Sequence, residues 1–143
     1  MASSCKNFYI KTVIICLNNT YMRAKILIVE DEQDLSEVYE MILKGAGYRV
    51  RVAGDGDEAL KICQTFVPDL ILLDLRMPKV SGLEFLQKYD LIKNHPTVKV
   101  IVFSNLDTQT DIDKAYELGA VKYMLKAWAS PKELIQLVEQ TLN

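Results

Sequence analysis

Three cysteines, one histidine and a nearly balanced charge deny this 143-residue chain several common chemistries. Cys5, Cys16 and Cys63 are odd in number and widely spaced, so they form neither a C-x-x-C pair nor a secreted disulfide framework. Cys63 falls on an apolar helical face, where a small buried hydrophobe is the ordinary role. His95 precedes Pro96 in a loop stretch and lacks partners for a metal site or a catalytic pair, so it reads as a surface residue. The net charge is −2 with acids and bases intermixed, and no basic stripe or DNA-binding module is visible; nucleic-acid binding would need another chain. The apolar run Phe8–Leu17 is interrupted by Lys11 and falls short of the roughly 18 residues a membrane span requires. No small-x-small cleavage site follows Leu17, which argues against a secretory signal and for a cytoplasmic protein.

What is present is a core. Half of the residues are hydrophobic and a quarter charged, the composition of one globular domain. From Lys25 onward strand-like and helix-like patterns alternate five times. Strands are expected at 25–30, 48–53, 69–74, 98–104 and 121–126. The first, third and fourth are near-continuous Ile/Leu/Val runs, as strands covered on both faces should be. The second, Tyr48–Ala53, alternates polar and apolar and suits an edge; the fifth suits the opposite edge.

Helices fill the gaps. The first presents Leu35, Val38, Ile42 and Leu43 and stops at Gly45 or Gly47. The second carries Ala59, Ile62, Cys63 and Phe66 and ends before Pro68. The third opens on a Ser81/Glu84 capping box and buries Leu83 and Leu86. The fourth carries Ile112, Ala115 and Tyr116 and ends at Gly119. The fifth starts with Ser130, Pro131 and Glu133, and its apolar face runs from Leu134 to Leu142. Strict alternation implies right-handed crossovers, an α/β doubly wound parallel sheet and the flavodoxin-like (βα)5 order 2-1-3-4-5. Residues 1–21 stand outside this pattern as an extension, either loosely attached or covering a sheet edge; residues 22–143 form the domain.

Several apolar runs end in chemistry-bearing residues: Glu30-Asp31-Glu32, Asp74, Ser104 and Lys126. In a parallel sheet these positions share the C-terminal edge, where open α/β folds bind ligands. An oxygen-rich cluster of this kind suits Mg²⁺, with Asp31 and Asp74 as direct carboxylate ligands and Glu30 holding a coordinated water. Three carboxylates are balanced in charge by Mg²⁺ and the Lys126 ammonium. Asp74 is the expected nucleophile, since a carboxylate can take a phosphoryl group as an acyl phosphate. Ser104 and Lys126 would then contact the phosphoryl oxygens. Taken singly, Asp31 could merely cap a helix and Lys126 merely be solvated; together, at successive strand ends, they point to phosphoryl chemistry.

These residues resemble the receiver domain of bacterial two-component response regulators, over roughly Lys25–Leu142. The resemblance rests on Ile-Leu-Ile-Val-Glu-Asp-Glu, Pro-Asp-Leu-Ile-Leu-Leu-Asp-Leu-Arg-Met-Pro, Ser-Gly-Leu-Glu-Phe-Leu and Gly-Ala-Val-Lys-Tyr-Met-Leu-Lys. It implies that Glu30 and Asp31 are the acidic pair for Mg²⁺, Asp74 the phosphoacceptor, and Arg76 a metal ligand through its backbone carbonyl. It further implies that Ser104 is the hydroxyl switch, Lys126 the phosphate-binding lysine and Tyr123 the aromatic switch. The implied partners are a sensor histidine kinase or histidine phosphotransfer protein as donor and a downstream protein. The face of the fourth helix, fifth strand and fifth helix would signal onward or form a homodimer. With no output domain after Leu142, the expectation is a stand-alone, chemotaxis-regulator-like receiver, not an enzyme with turnover.

The chain departs from the family pattern in several places. Ala127 stands where proline usually follows the lysine, Trp128 where phenylalanine is common, and Glu30 replaces the commoner aspartate. A cis bond at Lys126–Ala127 would cost about 3 kcal/mol without proline, so a trans bond with a reshaped last loop stands beside the family's cis form as an open alternative. Asn105 and Arg76 flank the phosphoryl position and are expected to influence water access. Two rival functions remain: a pseudo-receiver that is never phosphorylated, and an aspartyl phosphatase of the haloacid dehalogenase type. The latter needs Asp-x-Asp after the first strand, where this chain has Glu30-Asp31-Glu32.

Overall fold

In a computed structural model, which describes residues 23–105 and 107–143, the five apolar runs form one parallel sheet in the order β2-β1-β3-β4-β5. The strands are β1 (Lys25–Val29), β2 (Arg49–Ala53), β3 (Leu70–Leu73), β4 (Lys99–Ser104) and β5 (Lys122–Leu125). The helices are α1 (Gln33–Gly45), α2 (Gly56–Cys63), α3 (Gly82–Tyr89), α4 (Gln109–Glu117) and α5 (Pro131–Leu142), with an extra helical turn at Leu91–Asn94 and a 3₁₀ turn at Lys126–Trp128. The expected α/β order is thus the observed one. The proposed extension, residues 1–21, lies outside the described residues.

Successive strand side chains point to opposite faces, and the central strands β1, β3 and β4 are apolar through their interiors, with Lys25, Lys99 and Ser104 only at strand ends, because helices cover both faces. Leu27, Val29, Ile71, Leu73, Val100 and Val102 pack with Ala59, Phe85, Leu86 and Ala115, which places α2, α3 and α4 on one face. Ile26, Ile28, Leu70, Leu72, Ile101 and Phe103 pack with Tyr39, Leu43, Leu134 and Val138, which places α1 and α5 on the other. Glu30 follows Val29 and Asp74 follows Leu73, and those two residues are register partners between β1 and β3. Strand register alone therefore brings the two acids side by side at the switch point.

Four details differ from the sequence reading. Val38 is 45% exposed and Tyr39 takes the inner position on α1, because its ring meets Phe103 edge-to-face at 4.9 Å. Tyr116 is likewise exposed, and the smaller Ala115 is what packs against the sheet. Helix α2 ends at Cys63 rather than Phe66. Phe66 turns back instead to lie beneath the cationic ends of Lys25 and Arg51, each 5.9 Å from its ring centre. His95 is half-buried, stacked on Tyr89 at 3.9 Å, and not a free surface residue.

Capping follows expectation with one exception. Ser130 and Glu133 complete a reciprocal capping box at α5, whereas at α3 only the Ser81 half of the expected box forms. Of the two glycines proposed to stop α1, it is Gly47 that takes a left-handed conformation, φ 93°.

Gly82 controls the loop that follows Asp74. Its N–H donates to the Leu75 carbonyl at 3.1 Å, and a Cβ there would lie 2.3 Å from the Asp74 carbonyl oxygen. Backbone cannot yield as a side-chain tip can. Gly82→Ala is expected to cost about 2 kcal/mol through overpacking, read as a lower urea midpoint with an unchanged slope.

Candidate functional site

Four strand ends contribute to one notch. Asp74 is buried, 6% exposed, and both of its carboxylate oxygens are engaged. Its Oδ1 accepts from the Ser104 hydroxyl at 2.7 Å and from the Arg76 backbone N–H at 3.0 Å. Its Oδ2 accepts from the Lys126 ammonium at 2.7 Å. That ammonium also pairs with the Glu30 carboxylate, and the Glu32 backbone N–H donates to Glu30 Oε1 at 3.1 Å. Asp31 is exposed at the mouth of the notch, and it does not cap α1, whose N-cap position is Glu32.

Glu30, Asp31 and Asp74 each bring a carboxylate oxygen within 4.8 Å of one another. An all-oxygen, anionic donor set of that span fits a small hard cation such as Mg²⁺, which needs only one or two direct carboxylates beside its waters. Of the residues expected here, Glu30, Asp31, Asp74, Ser104 and Lys126 are therefore brought together. Arg76 reaches the same place by its backbone, while its guanidinium is mostly exposed. Tyr123 lies beside the group and is half-buried.

The electrostatics follow from burial. Desolvation pushes the Glu30 carboxyl above its ordinary value, and the Lys126 ammonium only partly opposes this. For Lys126 desolvation pulls downward, but hydrogen bonds and charge from Asp74 and Glu30 outweigh it, and its pKa is raised.

Asp107 is the site residue that sequence reasoning missed. Its side chain is fully buried; its Oδ1 lies 3.2 Å from Ser104 Oγ, and its Oδ2 accepts from the Tyr123 hydroxyl at 3.2 Å. The Arg76 guanidinium approaches Oδ1 at 3.6 Å. Burial raises its pKa, against the lowering effect of the Ser104 and Tyr123 hydrogen bonds. The available signal was an acid three residues past a strand-end hydroxyl, but it is followed by Thr108 and Asp111 and reads equally well as helix-start chemistry.

The missing proline is also accounted for. No cis peptide bond occurs among the described residues, so Lys126–Ala127 is trans. Ala127 has an N–H that proline would lack, and this donates to Asn105 Oδ1 at 3.1 Å. The Asn105 side chain thus ties the loop after β4 to the turn after Lys126.

These features define a class. Residues 26–139 match the response regulator receiver domain, and the chain belongs to that family. It is 32% identical over 122 residues to the DNA-binding response regulator MtrA of Mycolicibacterium smegmatis, covering 85% of this chain and 52% of that protein. It is 36% identical to the alkaline phosphatase synthesis transcriptional regulatory protein PhoP of Bacillus subtilis, again over 85% of this chain and 50% of the relative. The chain thus spans about half the length of these relatives. Among solved structures it resembles a CheY-like receiver domain protein of Methanospirillum hungatei (TM-score 0.78, 26% identity, 85% of this chain and 94% of that one). It also resembles the chemotaxis protein CheY4 of Vibrio cholerae (TM-score 0.77, 25% identity, 84% and 99%).

Removing the ammonium tests the electrostatics. Lys126→Met leaves Glu30 buried without its cation, a loss of about 3 kcal/mol in metal-free buffer. A carboxyl raised by burial adds stability below its unfolded pKa and loses it as pH rises through its folded pKa. The deficit relative to wild type should therefore be larger at neutral pH than at mildly acidic pH, as read by urea titrations at both.

Proposed function

We propose that this receiver accepts a phosphoryl group on Asp74 and thereby changes its affinity for a protein partner. What supports the reading is the division of labour around one carboxylate: Ser104 and the Arg76 N–H on one oxygen, Lys126 on the other. The donor is the phosphohistidine of a sensor kinase or phosphotransfer protein. A carboxylate oxygen of Asp74 forms the O–P bond as the donor's P–N bond breaks, and the imidazole nitrogen keeps the electron pair. Lys126 stands where it can neutralise the transferring oxygens, and Ser104 where its hydroxyl can turn from Asp74 to a phosphoryl oxygen.

Glu30, Asp31, Asp74 and the backbone carbonyl of Arg76 would hold Mg²⁺, which when bound supplies charge neutralisation to the transferring group. Lys126 pairs with both Glu30 and Asp74 and offsets part of their charge. The protein is an acceptor that acts on itself, not an enzyme that turns over a free substrate, and its place is the cytoplasm.

The signalling surface is the face of α4, β5 and α5, and Tyr123 links it to the site. Tyr116 at 45% and Val121 at 44% exposure offer apolar contact area for a downstream protein or a second copy of the chain. The net charge of −2 favours a protein over a nucleic acid as the direct partner.

Incubation with acetyl phosphate and Mg²⁺ should add one phosphoryl group by intact mass to the wild type and none to Asp74→Asn, and chelation should abolish the adduct. An unmodified wild type would overturn the reading and favour a purely structural pseudo-receiver.

A further inference from the structure

Ser104 and Tyr123 each have a single hydroxyl proton, and Asp107 accepts from both, in competition with Asp74 for that of Ser104. Ser104 Oγ lies 2.7 Å from Asp74 Oδ1 and 3.2 Å from Asp107 Oδ1, so one proton is shared between two carboxylates. The Tyr123 hydroxyl donates to the other oxygen of Asp107. A fully buried carboxylate is costly unless it is well partnered, and its side-chain partners among the described residues are the two hydroxyls together with the mostly exposed Arg76 guanidinium.

Helix capping does not explain this carboxylate. Helix α4 starts at Gln109, and the next residue after Asp107, Thr108, is its N-cap, with a hydroxyl that accepts from the Asp111 N–H. Asp107 is thus free of that duty and turned instead toward the site.

We propose that Asp107 is a positioning residue that restrains the switch: it holds Ser104 and Tyr123 in the unmodified arrangement and must release them when a phosphoryl group occupies Asp74. This rests on the phosphoacceptor reading above and adds a regulating residue to it. The phosphoryl oxygens need the Ser104 proton, and each proton committed to Asp107 is withheld from them. The phosphoryl group also brings negative charge toward a carboxylate already buried beside it, which opposes the modified state.

Asp107→Asn removes the charge and one of the two acceptor oxygens while keeping the size. Beryllofluoride with Mg²⁺ stands in for the phosphoryl group on an aspartate. The variant is expected to bind it about fivefold more tightly than wild type, the scale of one hydrogen bond no longer broken. The ring signals of Tyr123 are followed by NMR of tyrosine-labelled protein and assigned among the seven tyrosines by Tyr123→Phe. In the unliganded variant they should shift toward their position in beryllofluoride-bound wild type. Asp107→Ala should act in the same direction and serves if the asparagine variant does not fold. Equal or weaker binding than wild type in a folded variant, or an unmoved Tyr123 signal, would assign Asp107 a merely structural role and overturn the proposal. Absence of beryllofluoride binding in wild type would instead bring down the phosphoacceptor reading, and this proposal with it.

Discussion

One ammonium between two buried carboxylates holds the functional end of this molecule together. Lys126 comes from the end of β5, Glu30 from the end of β1 and Asp74 from the end of β3, and the lysine contacts both acids. Two carboxylates at neighbouring strand ends repel each other in a low-dielectric setting, and a third, Asp31, stands at the mouth. The lysine crosses β4 to reach them, so it closes the sheet's C-terminal edge into a notch. The position that satisfies the acids also leaves a cation beside the Asp74 oxygen opposite the one Ser104 contacts. Stability of the unmodified state and the proposed phosphoryl acceptance thus draw on the same contacts, as is common where ionisable groups cluster at a site.

The fold supplies this notch through register. Two apolar layers fix the sheet, one involving α1 and α5 and the other α2, α3 and α4. A slip of one residue would turn each strand's side chains to the opposite face and carry Glu30, Asp74 and Ser104 out of alignment. The loops beyond the sheet then refine position: Gly82 leaves the Asp74 carbonyl a space that a Cβ would fill, and Asn105 ties the β4 loop to the turn after Lys126. That last contact uses an N–H present only because residue 127 is not proline. The departure from the family pattern at one loop is therefore met by a polar side chain at the neighbouring one.

Much of this was legible in the sequence because strand runs and their terminal polar residues are local signals. The five strands, their order and the convergence of Glu30, Asp31, Asp74, Ser104 and Lys126 all follow from the alternation of apolar runs with helical patterns. The misreadings have a common cause in tertiary packing. Val38 and Tyr39 are adjacent and both apolar enough to face inward, and only the position of Phe103 decides between them. Tyr116 loses the inner position to Ala115 because the sheet surface there accepts a small side chain. His95 finds Tyr89 through the unforeseen turn at Leu91–Asn94, where Asp90 adopts a left-handed conformation, φ 50°. Asp107 was hidden because its sequence neighbourhood is that of an ordinary helix start, and its partners Ser104 and Tyr123 meet it only once β4 and β5 are paired.

The proposed phosphoryl and cation site stands or falls on the strand-end acids, the hydroxyl and the lysine acting together. A crystal structure with Mg²⁺ and beryllofluoride would decide whether they do. Expected are beryllium bonded to an Asp74 oxygen, Mg²⁺ among Glu30, Asp31 and Asp74, Lys126 and Ser104 turned to the fluorides, and Asp107 no longer holding Ser104. Beryllofluoride bound at another residue, or Lys126 still bridging Glu30 and Asp74 with no fluoride contact, would contradict it.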